Sequence, residues 1–90
     1  MVKVSDNEIQ IPVIMTPTKS GYTMYVPDLK YEVHGADLVE TMALGIMYTS
    51  AVYFYNLERN YHFKLTTTYE EAERMCKKRK SFVTYIGIVK

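Results

Sequence analysis

The carboxylates and histidines are the side chains whose chemistry could be catalytic, but their spacing does not favour catalysis. Asp28 follows a proline in a predicted turn, and the nearest carboxylate after it is Glu32. Metal-dependent phosphodiester hydrolysis needs several carboxylates clustered around the ions, and the sequence offers no convincing second and third carboxylate on adjacent strand positions. His34 and His62 lack a neighbouring Ser, Cys or Asp pattern that would activate a nucleophile. We therefore expect Asp28 to close a turn onto backbone N–H groups and both histidines to be strand-end or surface residues.

Cys76 and the basic residues that follow it are the remaining candidates for chemistry or ligand binding. The cysteine is the only one in the chain, so it forms no intramolecular disulfide, and no Cys/His set has zinc-ligand spacing. The dipole at the predicted helix C-terminus opposes a thiolate, so we expect an inert or partly buried thiol. The cations could contact phosphate in a salt-dependent manner, but glutamates earlier in the same predicted helix favour a solvated helix end. These candidate phosphate contacts are Lys77, Lys78, Arg79 and Lys80.

The composition favours binding over catalysis. The chain has 90 residues, which suits one domain spanning residues 1–90, and its formal net charge of +1 gives no overall attraction to nucleic acid or anionic membranes. Nine tyrosines exceed the needs of a core this small, and interfaces suit rings that are half buried with a wet hydroxyl. We expect no enzyme activity, no cofactor and no metal. Without disulfides or a signal-peptide segment, the expected location is the cytoplasm.

Alternating apolar residues predict four strands. Residues 9–16 carry apolar side chains at every second position, and Pro12 pushes this strand, or this stretch of it, toward an edge or a bulge. A turn over residues 17–21 joins it to a second strand at 22–26 as an antiparallel hairpin. A short third strand covers residues 29–34, and a closing strand covers 82–89.

Two helices are predicted between the third and the closing strand. Asp37 as N-cap, with Glu40 three positions later, starts a long helix over residues 38–57. A short helix opens at Thr67 or Thr68, with acidic residues early and basic residues late, in the order that complements the helix dipole. The predicted fold is α+β in the order β-β-β-α-α-β. An antiparallel sheet of three N-terminal strands plus the C-terminal strand packs against one long and one short helix.

The long helix is the most informative element because residues 41–57 carry no charge. The run is short for a membrane span, contains polar residues and lies between strands, which favours a buried helix and no membrane. Two largely apolar stripes run along it, and the sequence does not decide which one faces the core. Both cannot face one small sheet, so we expect a second subunit or a partner to cover part of the helix. The expected contacts are Met42, Met47, Tyr48, Tyr53, Phe54 and Tyr55.

Several local sequences resemble the HicB antitoxin family. Residues 11–17 (IPVIMTP) match the opening strand Y-P-V-I-x-x-P, and residues 21–29 (GYTMYVPDL) match the hairpin G-Y-T-V-x-x-P-D-L. Residues 34–42 (HGADLVETM) match the strand end T-Q-G and the D-x-x-E-A helix that follows it. The resemblance spans nearly the whole chain. The hairpin and turn residues that carry it are Gly21, Tyr22, Pro27, Asp28, Leu29 and Gly35.

The resemblance implies a catalytically empty, partial RNase H-like fold and an antitoxin function. Such a domain would oligomerise with itself, as a homodimer or higher oligomer, and occlude the catalytic histidine of a small HicA-like mRNA interferase. The Pro-Gly-Cys that many members carry after P-D-L is replaced by Lys30-Tyr31-Glu32. No DNA-binding module follows the closing strand, so no direct DNA binding is expected from this chain. A solitary HicB-like oligomerisation or RNA-associated module without a toxin is the alternative.

Overall fold

One antiparallel sheet and two helices make up the computed structural model, which describes residues 8–58, 67–76 and 80–89. The predicted α+β class and the order of the elements are confirmed. The elements are β1 (Glu8–Thr18), β2 (Gly21–Val26), β3 (Tyr31–Gly35), α1 (Leu38–Glu58), α2 (Tyr69–Arg74) and β4 (Phe82–Val89). The strand order is β3-β2-β1-β4, so β1 and β2 are interior strands and β3 and β4 are the edges of the sheet in the described part of the chain.

The strand register places the core on one face of the sheet. Met15 of β1 is paired with Met24 of β2 on one side and with Phe82 of β4 on the other. Because successive side chains of a strand point to opposite faces, every second residue from each of these positions shares that face. The buried residues that fill it are Ile11, Val13, Met15, Met24, Val26, Ile86 and Ile88.

Pro12 lies in an interior strand, so the predicted edge is found for the stretch around Pro12 and not for β1 as a whole. The pairing of β1 with β2 covers residues 14–18, while its pairing with β4 covers residues 8–15. At Pro12, whose partner is Tyr85, β1 therefore has a paired neighbour on only one side within the described residues. The proline, which has no N–H to donate, is tolerated because β2 has already ended at this level of the sheet.

The two turns between the N-terminal strands depend on unusual backbone angles. Gly21 opens β2 with φ +147°, and a Cβ at this position would lie 2.0 Å from the carbonyl oxygen of Gly35. The turn between β2 and β3 is closed by the N–H groups of Leu29 and Lys30, which donate to the Val26 carbonyl oxygen at 3.2 and 2.8 Å. Lys30 adopts φ 56° to complete this turn. The third strand therefore starts at Tyr31, two residues later than predicted.

The two helices cover opposite faces of the sheet. α1 lies over the core face, where Gly45 approaches the side chain of Met24. The ring of Tyr69 in α2 stacks on the ring of Tyr85, with centroids 6.3 Å apart. Tyr85 precedes the core residue Ile86 in β4, so its side chain points away from α1. The sheet is thus the middle of three layers, with the long helix on one side and the short helix on the other.

The short helix ends earlier than predicted. Its N-terminus agrees with the prediction, because the hydroxyl oxygen of Thr68 caps it by accepting from the Glu71 N–H at 3.1 Å. Its C-terminus is Arg74, where the Met75 and Cys76 N–H groups donate to carbonyl oxygens three residues back and tighten the last turn. The prediction that the basic residues from 77 onward form the last turn of this helix is therefore wrong, because α2 ends at Arg74.

Candidate functional site

Asp37 fixes the start of α1, as the sequence predicts. Its carboxylate oxygen Oδ1 accepts from the Glu40 N–H at 2.8 Å, and its backbone carbonyl accepts from the Thr41 N–H at 3.0 Å. A capping aspartate satisfies N–H groups that have no partner within the helix, and its charge is favourable at the positive end of the helix dipole. The cap fixes the residue at which α1 begins.

Small and polar residues lie at the centre of the side of α1 that faces the sheet, with Met42 and Tyr53 beside them. Thr41, Gly45 and Thr49 recur every four residues and are fully enclosed. The Thr41 hydroxyl donates to the Asp37 carbonyl at 2.7 Å and lies 3.3 Å from the Tyr22 carbonyl. At Gly45 an added Cβ would lie 2.1 Å from the Met24 sulfur, so the helix backbone rests directly on the β2 side chain.

Tyr31 links the edge strand β3 to this side of α1. Its hydroxyl group hydrogen-bonds to the Thr49 hydroxyl and donates to the Gly45 carbonyl oxygen at 3.4 Å. Burial raises the pKa of Tyr31, and the hydrogen bond with Thr49 opposes that rise to a smaller extent. No local sequence pattern predicts this contact, because Tyr31 and Thr49 lie in different elements.

The opposite side of α1 is apolar and exposed. Val39 is 78% exposed and Met47 is 56% exposed, values that are high for apolar side chains of a folded domain. Apolar residues of a surface helix normally face the core, with polar residues outside. α1 departs from that arrangement, because two threonines and a glycine lie at the centre of its contact with the sheet while several large apolar side chains are exposed. We call this surface the outer face of α1 and define it by Val39, Ala43, Ile46, Met47, Ser50, Ala51 and Phe54.

The six predicted interface residues divide between the two sides of α1. Met42 and Tyr53 are partly buried against the core, so the structure places them in the packing with the sheet. The other four are exposed to between 39% and 58%, either on the outer face or along its margin. These four are Met47, Tyr48, Phe54 and Tyr55. The stripe of α1 that contains Met42, Gly45 and Thr49 therefore faces the core, and the stripe that contains Ile46 and Phe54 is the exposed one.

A shallow groove borders this surface where α1 meets the edge strand β3. Its volume is about 390 Å³, and Leu44 and Tyr48 form its wall on the helix side. The floor comes from residues 31–34 of β3. Because Tyr48 also lies at the margin of the outer face, the groove and the outer face form a continuous surface.

The Asp28 carboxylate has a structural role, but its hydrogen-bond partner lies 39 residues away rather than in its own turn as predicted. Its Oδ1 accepts from the Thr67 N–H at 3.0 Å and from the Thr67 hydroxyl at 2.7 Å. The aspartate therefore ties the turn after β2 to the residue that precedes the cap of α2. Within the described residues, no group of three His, Cys, Asp or Glu side chains is placed to hold a metal ion. Of the other hairpin motif residues, Pro27 and Leu29 lie in the same turn as Asp28, Gly21 and Tyr22 open β2, and Gly35 ends β3.

His34 lies between two hydroxyl groups on the exposed face of the hairpin. Its Nε2 is 3.2 Å from the Ser20 hydroxyl oxygen, and its Nδ1 is 3.4 Å from that of Thr23. Thr23 and His34 are cross-strand partners, so the hairpin register alone brings them together. The histidine is exposed, in agreement with the expectation of a strand-end residue. His62 lies outside the described residues.

Cys76 is half buried after the end of α2, and its thiol donates to the Ala72 carbonyl oxygen at 3.6 Å. Burial raises the pKa of the Cys76 thiol, and the charge of Glu73 raises it further. Since the thiolate is the reactive form, both effects reduce reactivity. Of the four candidate phosphate contacts, Lys80 is exposed in a turn with φ 67°, and residues 77–79 lie outside the described part of the chain.

Comparison of the chain with models of protein families, with curated proteins and with solved structures finds no significant match. The class that the structure defines is therefore an α+β domain with a four-stranded antiparallel sheet between two helices. The HicB-like assignment rests on the motif residues alone and stays a prediction. No helix among the described residues combines the length and apolar character needed to cross a membrane.

Proposed function

We propose that this chain is a non-catalytic protein-binding domain whose outer α1 face contacts another protein. The observation that carries the proposal is the reversed polarity of α1, with threonines and a glycine against the sheet and large apolar side chains toward solvent. Contiguous apolar surface of this kind marks interaction sites on folded domains. Exposure of Val39 and Met47 to solvent does not stabilise the fold, so contact with a partner explains why these positions are apolar.

The exposed area is large enough to matter energetically. Burying apolar surface contributes about 25 cal/mol per Å², so enclosing a side chain such as Met47, now 56% exposed, contributes on the order of 1–2 kcal/mol. Several such residues lie along one helix, and aromatic rings at its margin add the amphipathic character that interfaces favour. The hydroxyl groups of Tyr48 and Tyr55 can stay hydrated at the rim while the rings are covered.

By resemblance to the HicB family, the partner is a small, basic, HicA-like mRNA interferase, and the chain acts as its antitoxin in the cytoplasm. Inhibition is steric: the domain covers the toxin's active site and releases it reversibly. No step of this mechanism needs a catalytic group in the antitoxin. The use of Asp28 as an anchor for Thr67 is compatible with that role.

Co-expression with a candidate toxin tests the proposal. The candidate is a small basic protein encoded beside this chain, and the measurements are its mRNA cleavage in vitro and its co-purification. Wild-type chain should abolish cleavage and co-purify in a fixed ratio. Met47→Glu places a charge on the outer face of α1 and should weaken binding by at least about 30-fold, since a desolvated unpaired charge is costly.

The matched control introduces a charge change elsewhere. Glu70→Lys alters an exposed residue of α2, on the other side of the sheet, and should leave binding within a factor of about two. Circular dichroism must show that both variants are folded. If the toxin remains fully active beside wild-type chain and does not co-purify, the antitoxin proposal fails. If Met47→Glu and Glu70→Lys behave alike, the outer face of α1 is not the contact surface.

A further inference from the structure

β3 is an edge of the sheet, and one side of it has no neighbouring strand among the described residues. It pairs with β2 in an unbroken register, from Tyr31 opposite Val26 to Gly35 opposite Tyr22. On the outer side of an edge strand, backbone N–H and C=O groups at every second residue point away from the sheet. Proline, lysine and β-bulges commonly protect such an edge, and residues 31–35 contain none of these. The edge can therefore accept a further strand.

The groove beside α1 runs along this outer side of β3. Residues 31–34 all line it, both the odd-numbered ones, which pack toward α1, and the even-numbered ones, which point to the opposite face of the sheet. A cavity on one face of the sheet would meet only one of these sets, so a cavity that meets both must pass the edge of the strand. Leu44 and Tyr48, about one helical turn apart, form its wall on the helix side.

Hydrogen bonds at both ends of β3 fix the shape of the groove. The Tyr31 hydroxyl group hydrogen-bonds to the Thr49 hydroxyl and to the Gly45 carbonyl oxygen, which joins the start of the strand to the helix. At the other end of β3, the ring of His34 lies between two hydroxyl groups. A site that is already ordered loses less conformational entropy on binding than one that must first be ordered.

From this geometry we infer that β3 and the groove bind an extended peptide segment of another protein, which adds a fifth strand to the sheet. Backbone hydrogen bonds to β3 supply affinity for an extended chain, and side chains at alternate positions supply selectivity. β3 spans about 17 Å, so a segment of about five to eight residues fits the site. The inference goes beyond the proposed function, because the site and the class of ligand both differ from those proposed for the outer face of α1.

The two faces of the sheet select different side chains on the segment. On the α1 side, Val33, Leu44 and the ring of Tyr48 offer apolar surface, which favours apolar residues at every second position of the segment. On the opposite face Glu32 is exposed and favours Lys or Arg at the positions between, since opposite charges on neighbouring strands attract. β3 itself contains no lysine or arginine, so a second copy of β3 does not supply this partner. The expected ligand is an extended segment in which apolar and basic residues alternate.

A synthetic octapeptide in which valine and lysine alternate is the probe, and fluorescence anisotropy of a terminal dye measures its binding. The full chain should bind it with a dissociation constant below about 200 µM. Two further versions of the octapeptide are N-methylated, one at every lysine and the other at every valine. Because the N–H groups of a strand alternate in direction, only one of these two sets faces β3. One version should therefore bind at least about tenfold more weakly than the other.

Charge exchange tests the role of Glu32. Wild-type chain should prefer the valine–lysine peptide to a valine–glutamate peptide by about tenfold, although its net charge of +1 favours the acidic one. Glu32→Lys should reverse this preference. Glu70→Lys is the matched control, because it changes the net charge equally but lies on α2 and does not line the groove, and it should keep the wild-type preference. Circular dichroism verifies that both variants are folded.

Any of three results would overturn the inference: no binding of the valine–lysine peptide at about 1 mM protein, equal binding of the two N-methylated versions, or an unchanged preference in Glu32→Lys. A wild-type dimer that Glu32→Lys dissociates, without peptide binding, would assign β3 to a second copy and overturn it as well. The proposed function fails on different evidence. Met47 does not line the groove, so Met47→Glu should leave peptide binding within a factor of about two, and a toxin that stays active beside the chain would not affect the inference.

Discussion

Replacing Gly45 by alanine tests directly which side of α1 lies on the sheet. In the interior of an exposed helix, Gly→Ala stabilises the folded state by about 1 kcal/mol, because glycine loses more backbone entropy. At Gly45 the added methyl group would lie 2.1 Å from the sulfur and 2.7 Å from the terminal carbon of Met24, a fully buried side chain. Overpacking of this kind costs about 1–3 kcal/mol. We expect Gly45→Ala to destabilise the protein by about 1 kcal/mol.

The sign should reverse when Met24 is shortened. Met24→Val removes the two atoms that the new methyl group would meet and keeps a residue that favours strands. It costs about 1–2 kcal/mol on its own through the lost packing. In that background Gly45→Ala fills the vacated space, so it should stabilise the protein by about 1 kcal/mol. The double-mutant cycle therefore predicts a coupling of about 2 kcal/mol.

Urea unfolding followed by circular dichroism measures all four proteins of the cycle, with the slope of each transition checked for two-state behaviour. Measurements at two protein concentrations separate the stability of the fold from self-association. If Gly45→Ala stabilises the wild-type chain by about 1 kcal/mol, or if the coupling is near zero, Gly45 does not lie against Met24. The rotation of α1, and with it the identity of its outer face, would then be wrong.

Two further substitutions test the other polar contacts of the fold. Asp28→Ala removes the acceptor of two Thr67 hydrogen bonds and should lower the free energy of unfolding by about 2–3 kcal/mol, measured in urea. Asp28→Asn keeps one carbonyl oxygen and should lower it by about half as much. Equal losses for the two variants would contradict the anchoring role of Asp28. Because burial raises the Tyr31 pKa, the folded state favours the neutral phenol. The stability that the neutral phenol contributes is complete below the ordinary tyrosine pKa of about 10 and is lost as the pH rises through the raised value. Wild type should therefore be more stable than Tyr31→Phe by about 1 kcal/mol at pH 7, and this difference should shrink above pH 10. A constant difference up to pH 11 would show that Tyr31 is not buried.

The elements that could be predicted from the sequence are those with local signals. Alternating apolar residues identified each strand, and Asp37 identified the start of α1, because a strand face and a helix cap each depend on residues only a few positions apart. The contact of Asp28 with Thr67 spans 39 residues and left no such signal. The predicted end of α2 lies too late in the chain, because basic residues are typical of a helix C-terminus and composition does not indicate where the last turn tightens.

The rotation of α1 could not be predicted, because the more apolar stripe would ordinarily be assigned to the core. The sheet explains why the assignment is reversed. Met24 and Tyr31 project from β2 and β3 and already fill the space beneath the helix. A helix packed on large side chains needs small residues at the contact, which Thr41, Gly45 and Thr49 provide. Most of the large apolar residues of α1 therefore lie outside this contact, and Met42 and Tyr53 pack only partly against the core.

This division separates folding from binding within a single helix. The residues that hold α1 on the sheet are small and hydrogen-bonded, and changes there should alter the free energy of unfolding. Met47 of the outer face is 56% exposed, so replacing it should change association far more than stability. A substitution on the outer face that unfolded the isolated domain would contradict this division, since it would mean that the apolar surface belongs to the core of one chain.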